Sequence, residues 1–298
     1  MIKIVIDDTA GYCFGVRNAI KQSEAILEED EYLYSLGHIV HNETEVNRLK
    51  TQGLKVIDHE QLKTLKNSNV LIRAHGEPPS TYETAYKNNI VLIDATCPIV
   101  KHLQKNISER TALNEETNSQ VVIYGKKDHP EVIGLVGHAE GNALVIATSE
   151  DIKNINPGKD VHLYAQTTMN PENFAKLAEE IRAYLTEYDP VNSKQVFEHN
   201  TICRQVSNRV EGLKRFASTH DLLLFVSGRQ SSNGKFLFSV CKEVNPNSYH
   251  IENKDDINKN WFENIKSVGI SGATSTPTRQ LSEVADFLKD FLLMNETL

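Results

Sequence analysis

Cysteine is scarce in this sequence, with four residues dispersed over 298. That count and spacing exclude a disulfide scaffold and a paired C-x-x-C zinc module, so each cysteine needs its own explanation. Long apolar runs are missing as well, none approaching the roughly 18 residues that a membrane helix requires. At the N-terminus, Met1-Ile-Lys-Ile-Val-Ile-Asp7-Asp8 reaches acidic residues too soon for a secretory signal. Excess positive charge is lacking: 32 Lys and Arg against 40 Asp and Glu leave a net charge of −8. A chain that tracks nucleic acid meets phosphates with clustered basic residues, so that class is disfavoured and any anionic ligand must be held by a local site. No Pro/Gly/Ser linker, low-complexity stretch or repeat is visible. These absences leave a globular cytoplasmic protein with neither a membrane nor a nucleic acid as partner.

What is present is an alternation of short β-branched runs and helical patterns from end to end, which predicts α/β layering. Buried strands are expected at Lys3–Ile6, Asn69–Ile72, Ile90–Ile93, Gln120–Tyr124, Val161–Ala165, Asp221–Val226 and Ser267–Ile270. Phe174, Leu177, Ile181 and Leu185 recur at helical spacing, as do Leu281, Val284, Ala285 and Leu288, so each set lays one apolar stripe against a sheet. Cys13, Cys97 and Cys203 stand about one small α/β unit apart, which suggests a threefold division.

The unusual residues fall just after the expected strands. The first three strands run into Gly11-Tyr-Cys13-Phe-Gly15, Arg73-Ala-His75-Gly76 and Asp94-Ala-Thr-Cys97-Pro98. The next two run into Gly125-Lys-Lys-Asp-His129-Pro130-Glu131 and Gln166-Thr167-Thr168. The last two run into Ser227-Gly-Arg-Gln-Ser231-Ser232-Asn233 and Ser271-Gly-Ala-Thr-Ser275. Ligands of open α/β sheets bind beyond the carboxyl ends of the strands, where helix N-termini point their N–H groups outward, so these motifs are expected to face a common centre.

Each residue also has a plainer explanation. Cys241 lies four positions after Leu237 in a helical pattern and reads as core. Cys13, Cys97 and Cys203 instead sit in loops beside Gly, Pro or polar residues. Three thiolates on a cubane iron–sulfur cluster, which normally has four, would leave one iron open for catalysis. Soft thiolates with a histidine suit zinc as well, and the spacing leaves both metals open. His41, His75 and His129, together with Ser231, Ser232, Asn233 and Ser275, form a set of neutral or weakly cationic donors of the kind that phosphate oxygens accept from. Ser-Ser-Asn is equally an ordinary helix N-cap. Glu131 follows Pro130 and so falls in the first turn of a helix, where its charge complements the dipole. Thr167 and Thr168 either cap the helix running through Phe174 or supply a hydroxyl that pairs with Glu131 in a short proton relay.

Taken together and in order, Gly11-Tyr-Cys13-Phe-Gly15-Val, His41-Asn42, Ala74-His75-Gly76, Asp94-Ala-Thr-Cys97-Pro98, His129-Pro130-Glu131, Gln166-Thr167-Thr168, Thr201-Ile-Cys203, Ser231-Ser232-Asn233 and Ser275 resemble the 4-hydroxy-3-methylbut-2-enyl diphosphate reductase family over nearly the whole chain. The resemblance implies a trefoil of three small α/β domains around a central iron–sulfur cavity, expected here as residues 1–96, 97–195 and 196–298, with one cysteine in each. It implies a [4Fe–4S] cluster on Cys13, Cys97 and Cys203. It further implies a diphosphate held by His41, His75, His129, Ser231, Ser232, Asn233 and Ser275, with Glu131 as proton source and Thr167 positioning the substrate hydroxyl. The implied reaction is reductive removal of an allylic hydroxyl to give isopentenyl and dimethylallyl diphosphate in the non-mevalonate isoprenoid route, with ferredoxin or flavodoxin as electron donor.

Two positions depart from that pattern: Asn18 stands where an Arg is common, and Gly234 where a small hydroxyl residue is usual. The second bears on the diphosphate geometry. Competing readings are another three-cysteine iron–sulfur enzyme of the quinolinate synthase type, for which the His-Pro-Glu and Ser-Ser-Asn motifs have no evident use, and a redox sensor, which should show a basic DNA-binding element.

Overall fold

The computed structural model describes residues 2–296. In chain order the strands are β1 (Lys3–Ile6), β2 (Leu33–Leu36), β3 (Leu54–Ile57), β4 (Asn69–Ile72), β5 (Val91–Asp94), β6 (Ser119–Tyr124), β7 (Ala143–Ile146), β8 (Asp160–Ala165), β9 (Val196–His199), β10 (Leu222–Val226), β11 (Ser248–Ile251) and β12 (Ser267–Gly272). The helices are α1 (Phe14–Glu29), α2 (Glu43–Thr51), α3 (His59–Thr64), α4 (Pro79–Lys87), α5 (Pro98–Ala112), α6 (Pro130–His138), α7 (Pro171–Tyr188), α8 (Arg204–Ser207), α9 (Arg209–Ser218), α10 (Ser232–Val244) and α11 (Thr278–Glu296). Proline opens α4, α5, α6 and α7, at the position where its missing N–H costs nothing and its φ already suits a helix.

The strands form three four-stranded sheets, in the orders β1-β12-β10-β11, β3-β2-β4-β5 and β7-β6-β8-β9. The registered pairs are parallel, which demands helical crossovers and explains the alternating pattern of the sequence. All seven expected strands are present, to within two residues at their ends. β2, β3, β7, β9 and β11 lie outside the expected set. Four of them are edge strands, and segments such as Val-Phe-Glu-His carry too little continuous apolar sequence to stand out.

Helices cover both faces of a sheet. Phe174, Leu177, Ile181 and Leu185 of α7 pack with Leu163 and Ala165 of β8, while Leu103, Ile107, Val132 and Leu135 of α5 and α6 pack with Val121 and Ile123 of β6. Leu281, Val284, Ala285 and Leu288 of α11 meet Val268 and Ile270 of β12. Cys241 is fully buried with Leu213, Phe225 and Leu237, as expected of a core residue.

The expected division at 96/97 and 195/196 is not the division of the sheets. β1 pairs with β12, so the N-terminal strand lies in the C-terminal sheet, and β9 runs to His199. Loop-closure entropy grows only logarithmically with length, so a distant partner strand is tolerated. By compactness the chain forms two units, residues 1–31, 38–54 and 204–298 in one, and residues 32–37 and 55–203 in the other, the latter built around the sheets of β2–β5 and β6–β9. Each loop cysteine follows a strand of a different sheet: Cys13 after β1, Cys97 after β5 and Cys203 after β9.

Candidate active site

In the unit holding residues 55–203, a chain of contacts starts at Cys97, the N-cap of α5, whose N–H donates to the Ala74 carbonyl at 3.0 Å. His75 follows on a turn that needs Gly76: its φ is +72°, and an added Cβ would lie 2.3 Å from the Gln104 amide. The turn is flanked by Arg73 and by Glu77, a buried carboxylate bonded to His59 Nε2 at 2.7 Å. Burial pushes Arg73 down, and the Glu77 hydrogen bond pulls His59 up. The His75 ring meets that of His129 edge-on, centroids 5.3 Å apart. His129 caps α6, its Nδ1 accepting the Glu131 N–H at 3.2 Å, so the ring proton of the neutral form resides on Nε2.

Glu131 is 1% exposed. Its Oε1 accepts the Thr167 N–H at 2.7 Å and its Oε2 is 2.8 Å from Thr167 Oγ1. Burial pushes the carboxyl up to about 7, against the pull of these two hydrogen bonds. A carboxyl so placed exists in both protonation states at neutral pH, as a general acid requires. Of the two threonines it is Thr167 that meets Glu131; Thr168 accepts from Gln166, and α7 is capped by Asn170. The chain ends at Cys203, whose N–H donates to the Thr167 carbonyl at 2.8 Å.

The other unit contains a second chain. Cys13 caps α1 and donates its N–H to the Thr274 carbonyl at 3.0 Å. Thr274 donates through N–H and hydroxyl, both at 2.9 Å, to Asn233 Oδ1 in the first turn of α10. That leaves Asn233 Nδ2 buried with no hydrogen-bond partner among the described residues, a donor suited to an anionic oxygen. Ser231 is the N-cap of α10, so the capping reading holds, and its hydroxyl also lies 3.1 Å from that of Ser275. Ser232, Asn233 and Ser275 are all buried. His41 belongs to the same group through its backbone: a Cβ on Gly228 would fall 2.3 Å from the His41 carbonyl oxygen.

A family profile described as LytB protein matches residues 4–289. The chain belongs to the LytB protein family. It is 46% identical to a Bacteroides thetaiotaomicron protein named 4-hydroxy-3-methylbut-2-enyl diphosphate reductase, over 97% of this chain and 98% of that one. A Porphyromonas gingivalis protein of the same name is 45% identical over 98% and 100%. A solved structure described as (E)-4-hydroxy-3-methyl-but-2-enyl diphosphate reductase, the terminal enzyme of the non-mevalonate pathway, aligns with a TM-score of 0.70 and 37% identity over 97% of this chain and 100% of that chain. A Plasmodium falciparum reductase structure, 24% identical over 96% and 88%, shares the fold with a TM-score of 0.82. Matches of this extent to LytB reductases set aside the quinolinate synthase and sensor readings.

Ser227, Ser271 and Asp7, which the motifs carry only as flanking residues, make further buried polar contacts in the LytB chain. Ser227 explains Gly234: a Cβ at 234 would sit 2.3 Å from Ser227 Oγ, so a hydroxyl residue there would collide with one already present. Ser271 donates to Asp7 at 2.7 Å with Arg209 3.6 Å away, a buried polar group at the ends of β1 and β12. Asp7 and Ser271 were detectable only as polar residues next to strand ends. Among the described residues no helix is long and apolar enough to cross a membrane.

Proposed function

We propose that this chain reductively dehydroxylates 4-hydroxy-3-methylbut-2-enyl diphosphate to isopentenyl and dimethylallyl diphosphate in the cytoplasm, with Glu131 as the proton donor. The observation that carries the assignment of roles is the buried Glu131–Thr167 pair. Replacing C–OH by C–H and releasing water consumes two electrons and two protons. Hydroxide is a poor leaving group, so a proton must reach the departing oxygen, and a carboxyl near pKa 7 can deliver it and be recharged. Thr167 keeps the carboxyl in one orientation and orders the substrate hydroxyl. Ser231, Ser232, Asn233, Ser275, His41, His75 and His129 donate to the diphosphate oxygens, dividing the charge over many neutral donors.

The cysteines suit an iron–sulfur group. Cys13, Cys97 and Cys203 are half-buried, whereas Cys241 is fully buried in an apolar cluster, where burial pushes its thiol up to about 12 and disfavours the thiolate. Three thiolates from Cys13, Cys97 and Cys203 would hold a [4Fe–4S] cluster, which when bound supplies single electrons and Lewis acidity. The electrons themselves come from outside, from a one-electron carrier of the ferredoxin or flavodoxin type.

The test is anaerobic reconstitution with iron and sulfide, then turnover of the substrate with an artificial reductant, repeated with Glu131→Gln. The variant should bind cluster and substrate and lose about 100-fold or more of turnover. Near-normal turnover refutes the proton-donor role, and substrate left unreduced by the wild type refutes the reaction.

A further inference from the structure

Two buried amides, Asn42 and Gln280, join the loop of His41 to the loop of Ser275, and no step above uses them. They are 3% and 2% exposed. Asn42 Oδ1 accepts the Glu45 N–H at 3.1 Å and so caps α2. Asn42 Nδ2 donates to Gln280 Oε1 at 2.7 Å and lies 3.4 Å from the Ser275 carbonyl oxygen. Gln280 Nε2 donates to the Glu252 carbonyl, just past β11, at 2.5 Å, with Thr44 Oγ1 at 3.5 Å.

Polarity makes this arrangement directional. At one end stands a backbone donor, the Glu45 N–H, and at the other a backbone acceptor, the Glu252 carbonyl. Neither can reverse, so Asn42 must turn its NH₂ toward Gln280, and Gln280 must meet it with its oxygen. Capping alone does not require an amide, because Asp caps a helix as well as Asn does. The NH₂ of Asn42 is needed only for the tie to Gln280 and Ser275. Around it the approach is tight: the His41 carbonyl rests against Gly228, and Arg279, next to Gln280, bonds buried Glu45 at 3.1 Å. A buried network with every member satisfied holds its parts rigidly.

We propose that Asn42 and Gln280 are positioning residues which hold the His41 and Ser275 loops in register, so that the diphosphate donors of this unit are organised before the ligand arrives. The inference rests on the diphosphate reading given above. Donors displaced by even an ångström lose much of their value, whereas donors held in place spend no binding energy on ordering.

Asn42→Asp separates the two tasks of the residue. The cap on α2 survives, while the unpaired buried carboxylate lowers the thermal midpoint, so binding is compared at temperatures where the variant is folded. The new carboxylate faces Gln280 Oε1, and turning the Gln280 amide over would only move the clash to the Glu252 carbonyl. Adding Gln280→Lys supplies an ammonium that donates to both the carboxylate and the Glu252 carbonyl. Binding of inorganic diphosphate to the purified protein is measured by calorimetry, and KM and kcat are measured on the reconstituted enzyme. Asn42→Asp should weaken diphosphate binding and raise KM by about tenfold or more with kcat nearly unchanged, since binding common to ground and transition states is what is lost. The double variant should recover most of the affinity. Gln280→Met, which removes the tie without adding charge, should weaken binding in the same way, and it decides the matter should the Asp variant not fold. Wild-type affinity in Asn42→Asp or Gln280→Met overturns the proposal, as does a double variant no better than the single one. A wild type that binds inorganic diphosphate without reducing the substrate refutes the reaction while leaving the tie standing.

Discussion

Replacing Glu131 by Gln should abolish a pH dependence of stability that the native chain carries between about pH 4.5 and 7. In the folded protein burial holds this carboxyl up near 7, whereas in the unfolded chain it titrates at its ordinary 4.5. Between those values the folded chain keeps a proton that the unfolded chain has released, so stability falls as pH rises. The contribution is fully present below pH 4.5 and lost as pH passes through 7. Each unit of difference is worth about 1.4 kcal/mol, so the whole interval amounts to about 3 kcal/mol. Gln preserves the local structure, since its carbonyl accepts the Thr167 N–H and its amide donates to Thr167 Oγ1, the pattern of a protonated carboxyl. The assay is denaturant unfolding of wild type and variant at constant ionic strength from pH 4 to 8.5, with equal m values as the check on two-state behaviour. The free-energy difference, wild type minus variant, should be level at low pH and then decline by about 3 kcal/mol. A difference that stays level throughout refutes the elevated carboxyl, and with it the physical basis for Glu131 as a neutral-pH acid.

Thr167→Val removes the hydroxyl from Glu131 and leaves the backbone N–H in place. A hydrogen bond to the charged form is lost, so the carboxyl rises further and the alkaline limb of the pH–rate profile should move to higher pH while turnover falls; an unmoved limb contradicts the pairing. Cys241→Ala should keep its iron on anaerobic reconstitution and lose about 1 kcal/mol of stability from the small cavity it leaves. Cys203→Ser should fail to retain a cluster by absorbance and iron analysis, and a variant with full iron content removes Cys203 from the ligand set.

Signals that act over a few residues were legible in the chain itself. Strand runs such as Asn69–Ile72, the helical stripes of α7 and α11, Pro130 opening a helix with Glu131 in its first turn, and Ser231 as a cap are all decided by neighbouring residues, because side-chain period and capping are local physics. The order of the motifs also carried the family. Tertiary structure decided everything that depends on which distant groups become neighbours. It put β1 beside β12, chose Thr167 over Thr168 as the partner of Glu131, and filled the space at Gly234 with Ser227. Asn42 and Gln280 are 238 positions apart, and nothing in either neighbourhood announces the other. Their pairing follows from strand order and from loop ends brought together once the sheets are built. Burial is likewise a property of the folded whole, and it alone turns Glu131 from an ordinary acidic residue into a carboxyl poised near pH 7.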